Sequence, residues 1–212
     1  MKKVILFTAS ITMFLFFFPL HLLAQEKKAE DYKWLGKVKL GSQILGNHKT
    51  VYQDSFYSID TMIGVSSGAE FFYALHENIN VGVGFEYQIP REQNQNPGGF
   101  NFLPIFAVIR FPFSLELFEP YAIGRFGFNF FFGDDQYRGT GAGNSNLEGG
   151  IYYSIGSGVS IPGISFSILN IPLNPFLEVN YSVNHGSGII QDSQQEVIYT
   201  SLSLYIGVES RF

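Results

Sequence analysis

The stretch NYSVNHGSG holds the residue types best suited to chemistry in this chain. His185 and Ser187 are two apart, so on an extended strand they share a face. By parity it is the apolar face of Leu177, Val179, Tyr181 and Val183. An imidazole base beside a hydroxyl nucleophile suits ester hydrolysis, and on an apolar face that ester would belong to a lipid. The plainer reading of these residues is a polar strand end entering a loop, and it is preferred. Catalysis is therefore not the expected role.

Other motifs carry less. Gly139, Gly141 and Gly143 lack the strand-to-helix context of a phosphate cradle. The four histidines are dispersed and form no metal set. Asp134 and Asp135 sit in a glycine-rich stretch without calcium-site spacing. Trp34 lacks the glycine two residues before it that lipocalins usually carry. No cofactor and no metal is expected.

The elements that must position these residues are strands. Period-2 alternation recurs in eight segments: Lys33–Ser42, Asp60–Leu75, Ile79–Ile89, Phe102–Phe111, Tyr121–Phe131, Gly150–Ile161, Phe176–His185 and Tyr199–Phe212. Short connectors follow the second, fourth and sixth. Longer polar ones follow the first, third, fifth and seventh. Short turns at one end and long loops at the other is the pattern of a transmembrane barrel.

The two faces of each strand differ in kind. In VGVGFEYQI one face carries Val81, Val83, Phe85, Tyr87 and Ile89, and the other Gly82, Gly84, Glu86 and Gln88. A face of Gly, Ser and Asn makes a poor water-facing surface but a good barrel interior. With the apolar face against lipid, closure satisfies every backbone group. The expected fold is all-β: an eight-stranded antiparallel transmembrane β-barrel, an up-and-down meander. Eight strands give an interior filled by side chains.

Composition agrees. Charged residues make up 15% and aromatics 17%, against about 25% charged in a typical soluble domain. The formal charge is −5, and −7 without Lys2 and Lys3, which argues against nucleic acid as a partner. There is no cysteine, so no disulfide supports the fold. The opening MKKVILFTASITMFLFFFPLHLLAQ reads as a secretory signal cut after Ala24. The expected domains are a signal peptide over 1–24 and a barrel over 25–212.

The charges within strands fall on the polar face: Lys37, Lys39, Glu70, Glu86, Arg110, Arg125, Glu178, Glu209 and Arg211. Buried charges are tolerable when paired. The alternation predicts one layer of Glu70, Glu86, Arg110 and Arg125. It predicts a second of Glu178, Glu209, Arg211 and Lys37 or Lys39. Together they form an internal plug. Aromatics near strand ends (Tyr32, Trp34, Phe71 to Tyr73, Phe111, Phe113, Phe128 to Phe132, Tyr152, Tyr153) predict interfacial girdles. Pro104 predicts a bulge near a rim.

The ending SLSLYIGVESRF sets Leu204, Ile206 and Val208 on one face and closes on Phe212. It resembles the terminal signature of outer-membrane barrels, and the chain from residue 25 onward resembles the small OmpA-like, opacity-like outer-membrane β-barrel family. That resemblance implies a Gram-negative outer membrane and a structural or surface-interaction role. It implies as partners outer-membrane lipid and lipopolysaccharide, the barrel assembly machinery reading Phe212, and an extracellular ligand of the loops. A second resemblance is to the lipid A 3-O-deacylases, through the His-x-Ser element. It implies Ser187 as nucleophile, His185 as base and Glu196 as orienting acid, with Gly188 where those enzymes usually have Asn. A soluble periplasmic ligand-binding barrel is the remaining alternative. Extraction separates it, because a soluble barrel leaves with the periplasm.

Overall fold

The computed structural model describes residues 33–52, 55–92, 98–113, 115, 117–134, 137, 147–162, 166–168, 171–190 and 193–212. The segment 1–24, Tyr32, Asp135, Gly139, Gly141 and Gly143 lie outside the described residues. The strands are β1 (Trp34–Tyr52), β2 (Ser55–Thr61), β3 (Gly64–His76), β4 (Ile79–Gln88), β5 (Arg91–Glu92), β6 (Gly99–Pro112), β7 (Glu119–Gly133), β8 (Leu147–Ser160), β9 (Phe166–Ile168), β10 (Ile171–Ile190) and β11 (Ser193–Arg211).

Eight of these, β1, β3, β4, β6, β7, β8, β10 and β11, pair antiparallel in sequence order. β11 returns to β1 and closes the ring, from Leu35↔Arg211 to Val51↔Glu196. The final residue completes the seam: Trp34 N donates to Phe212 O at 2.9 Å, and Phe212 N to Trp34 O at 3.0 Å. Closure removes the sheet edge that a bilayer cannot solvate.

The alternation sorts side chains as the sequence predicts. On β4, Val83, Phe85 and Tyr87 are exposed, while Glu86 and Gln88 are buried. On β11, Leu204 and Ile206 face out, as does Phe212 just beyond it, and Ser203, Tyr205 and Glu209 face in. The outward aromatics gather by height. Trp34 stacks on Phe71 with centroids 5.2 Å apart and meets Tyr73 at 4.9 Å, and Phe71 lies 6.1 Å from Phe212. Phe128, Phe130, Phe132 and Tyr153 face outward nearer the other end. Phe72, Phe131 and Tyr152 point inward instead.

The structure differs from the sequence reading in three places. The polar stretches after the first and seventh segments are paired ribbon rather than loop. β1 runs 19 residues and β10 20, about twice the 9–11 a tilted strand needs to cross. Their outer halves find backbone partners in β2 and in each other's neighbour β11. Pro104 pairs with Asn129 without a register shift. The β4–β6 ladder stops at Ile105, one residue from the proline, so no donor is demanded on that side. Register shifts fall instead at Gln43/Leu45, Ala74/His76 and Asn184/Gly186. At the last of these the β10 alternation breaks, and Val183 is buried together with Asn184.

Two inward glycines make room for the lumen. A Cβ on Gly41 would lie 2.3 Å from the Tyr205 ring, and one on Gly158 would lie 2.4 Å from Tyr121 Cζ. Both tyrosines belong to the charge network below.

Candidate functional site

The lumen carries its charges in stacked groups. The middle group joins β1, β3, β4, β7 and β10. Arg125 is its hub. Its Nη2 lies 2.7 Å from both Glu70 Oε1 and Glu178 Oε1, its Nε donates to Glu70 Oε1 at 2.8 Å, and its Nη1 donates to Asn180 Oδ1 at 2.9 Å. Lys39 bridges Glu70 at 3.1 Å and Glu86 at 2.9 Å. Lys37 bridges Glu178 and, at 3.5 Å, Glu70. Tyr121 donates to Glu178 at 3.0 Å and Tyr205 to Glu86 at 2.8 Å. Three cations meet three carboxylates, and all six are buried.

The group near the short turns joins β6, β7 and β11. Arg110 pairs with Glu119 and with Glu209, each at 2.9 Å. Arg211 pairs with Glu119 at 2.6 Å and Glu209 at 3.3 Å. Ser160 donates to Glu209 at 2.7 Å. The sequence-predicted residues all reach the lumen, but their grouping differs. Arg110 serves Glu119 and Glu209, not Glu70 and Glu86. Glu70 and Glu86 are joined by Lys39. Glu70 opposes Gly84 and Glu86 opposes Gly68, so the two carboxylates sit diagonally rather than face to face. The strand twist sets which heights coincide across the barrel, and that is not readable from parity alone.

Above the middle group the lumen turns aromatic. Phe100, Phe102, Phe131, Tyr137, Val197 and Tyr199 form one buried cluster, with Phe102 and Phe131 stacked at 4.7 Å. Tyr137 reaches it from the β7–β8 connection. Asp134 holds that connection in place, accepting from Gly99 N at 2.6 Å and Tyr137 N at 2.7 Å. The Asp134 carboxylate is thus engaged by backbone donors.

His48, on the outward extension of β1, shares a 2.8 Å hydrogen bond with Tyr137 OH and packs edge-on to Phe100. Burial pushes its imidazole down to about 4. Below the ordinary histidine value of about 6.5 the unfolded chain takes up a proton that folded His48 refuses. Its contribution is complete above pH 6.5 and is lost progressively as pH falls toward 4, on the order of 3 kcal/mol in all. Urea unfolding in detergent at pH 7.5 and 4.5 checks this. The parent should lose more stability on acidification than His48→Phe.

On the outside, β10 and β11 bring the ester-hydrolysis candidates near one another. Ser187 pairs directly with Glu196, and His185 with Ile198. The His185 ring lies 6.1 Å from the outward Tyr153, so it faces outward near the aromatic girdle. Glu196 is exposed. Same-face residues two apart on a strand are about 6.5 Å apart along it. No hydrogen bond joins His185, Ser187 and Glu196 among the described residues. No group of three or more His, Cys, Asp or Glu that could hold a metal ion occurs among the described residues.

Sequence reading missed Glu119, Gln43, Arg91 and the lumenal Tyr121 and Tyr199. Glu119 lies in a connector read as a turn, and Arg91 in one read as a loop. The polar-face parity of Tyr205 beside Ser203 places that tyrosine inward, where the structure has it.

No family model matches the chain, and no curated protein matches it. Solved structures do. The outer membrane protein OprG from Pseudomonas aeruginosa superposes with a TM-score of 0.54 at 11% identity, over 85% of this chain and 96% of OprG. Neisserial surface protein A gives 0.46 at 18% identity, over 84% and 97%. AlkL, solved in lipid bilayers, gives 0.46 at 13%, over 89% and 94%. The ring of strands, the apolar outer face and the OprG match agree: the chain has the closed eight-stranded antiparallel β-barrel fold of small outer-membrane proteins.

Proposed function

We propose that the protein is an integral outer-membrane barrel with a structural or surface-interaction role, whose lumen is sealed and whose outer ribbons meet the exterior. The observation that carries this is the buried middle group, in which Arg125, Lys37 and Lys39 span the lumen to Glu70, Glu86 and Glu178. A salt-bridge layer with tyrosines wedged into it would fill the cross-section that a solute would use. The apolar face of Val83, Phe85, Leu204 and Ile206 would meet lipid, and the girdle residues the lipopolysaccharide and phospholipid interfaces. The barrel assembly machinery would engage the β11 ending at Phe212. The extensions of β1, β10 and β11 would contact an extracellular ligand.

The chain lacks cysteine, so single introduced thiols report topology cleanly. Gln194→Cys, at the β10–β11 tip, should react with a membrane-impermeant maleimide on intact cells. Glu77→Cys, in the turn between β3 and β4, should react only after lysis. Equal labelling of both, or release of the protein with the periplasm, overturns the reading.

The Ser187↔Glu196 pairing, with His185 beside it on the outward face, favours one second reading: hydrolysis of a lipid ester, with Ser187 as nucleophile and His185 as base. Mass spectrometry of lipid A from cells expressing the chain decides between them. The sealed-barrel reading expects unchanged lipid A. Loss of an acyl chain in the parent but not in Ser187→Ala would establish the esterase.

A further inference from the structure

We propose that the outer end of the lumen holds one small monovalent anion, a halide or carboxylate of about the size of chloride or formate, between Arg91, Gln43 and Gln88. Each other lumenal cation, from Lys37 to Arg211, has a carboxylate within 4 Å. Arg91 is buried and has no carboxylate partner among the described residues. Its neighbours are neutral acceptors. Nη1 donates to Tyr199 OH at 2.6 Å and Nη2 to Gln88 Oε1 at 2.7 Å. Rings cover it, with Tyr199 at 4.5 Å and Phe100 at 5.6 Å from its Cζ. A buried guanidinium without a counter-charge is costly.

The hydrogen-bond accounting points the same way. Tyr199 OH accepts from Arg91 and so donates onward to Gln43 Oε1, at 3.2 Å. Gln88 must also present its oxygen, to Arg91. Both amide orientations are therefore fixed by the network, and both amide NH2 groups face away from the acceptors already used. Gln43 Nε2, Gln88 Nε2 and Arg91 Nε are all buried without a partner. Ser203, opposite Gln43 in the register, has an unpartnered hydroxyl as well. One connected cluster thus carries a positive charge and three donor nitrogens without a partner, and its acceptors are consumed. An anion supplies what such a cluster lacks. The need for a small one follows from the aromatic cover.

The test is a melting series of the protein folded in detergent, in sodium chloride, bromide and formate against sodium gluconate at constant ionic strength. The chloride NMR line width is measured in parallel. The expected result is a melting point that rises by about 4 °C for each tenfold of chloride or formate above its dissociation constant, with a broadened chloride line. Gln88→Glu provides the missing charge within hydrogen-bond reach of Arg91. It should melt above the parent in gluconate, respond to no anion and leave the chloride line sharp. Arg91→Gln should lose the anion response too. A parent that melts alike in all salts with a sharp chloride line overturns the proposal, because water alone then meets these donors. So does an anion response that persists unchanged in Gln88→Glu.

Discussion

Arg125→Ala is expected to cost about 3–5 kcal/mol of folding stability, the cost of stripping one partner from a buried ion-pair network. Arg125 lies 2.7 Å from Glu70 and from Glu178 and donates to Asn180. Its removal leaves three carboxylates facing two lysines in a lumen that excludes water. Replacing both Arg125 and Glu178 by Met restores the balance, because Lys37 keeps Glu70 at 3.5 Å and Lys39 keeps Glu70 and Glu86. Arg125→Met/Glu178→Met should therefore regain most of the loss, a non-additivity of neighbouring residues. Arg110→Ala should cost less than Arg125→Ala, since Arg211 remains 2.6 Å from Glu119 and 3.3 Å from Glu209. Urea unfolding in detergent, followed by near-ultraviolet circular dichroism, ranks the variants. Equal midpoints for Arg125→Ala and the parent would remove the network from the account of stability.

Gly158→Val is expected to be a strongly destabilising substitution, and one that acts through the ion-pair group. A Cβ there would lie 2.4 Å from Tyr121 Cζ, 2.5 Å from its hydroxyl and 2.6 Å from the Leu177 carbonyl oxygen. Overpacking a filled core costs about 1–3 kcal/mol. Here the displaced ring also carries hydrogen bonds to Lys37 and Glu178, so the ion-pair group loosens with it. The unfolding midpoint should fall at least as far as in Arg110→Ala. In Tyr121→Phe the ring keeps its place and only the hydroxyl is lost, so that variant should fall less.

The number of barrel strands and their faces are legible in the sequence, because a lipid-facing strand must alternate large apolar with small or polar residues. Each of the eight segments holds one strand of the ring, although the second begins inside β2, with Asp60 and Thr61. Strand ends were not legible. Past the membrane, alternation no longer reports a lipid face, so GNHKTVY and GSGII read as loop although they are paired. The partners within the lumen were not legible either. Parity says that Glu86 and Arg110 point inward, but the height at which each strand delivers its charges depends on register and twist. Glu86 therefore meets Lys39, and Arg110 meets a glutamate from a connector. Arg91 and Gln43 were hidden for a related reason. One stands in a proline-flanked polar run and the other beside a bulge, where period-2 reading ends.

The proposal of a sealed lumen is tested most directly by reconstituting the protein in a planar lipid bilayer and recording current across it. The plug of Arg125, Lys37, Lys39 and their three glutamates predicts a flat baseline over the working voltage range, with insertion confirmed by labelling in the same membrane. Reproducible, discrete current steps from the parent protein would contradict it, and would make the charge groups the lining of a path.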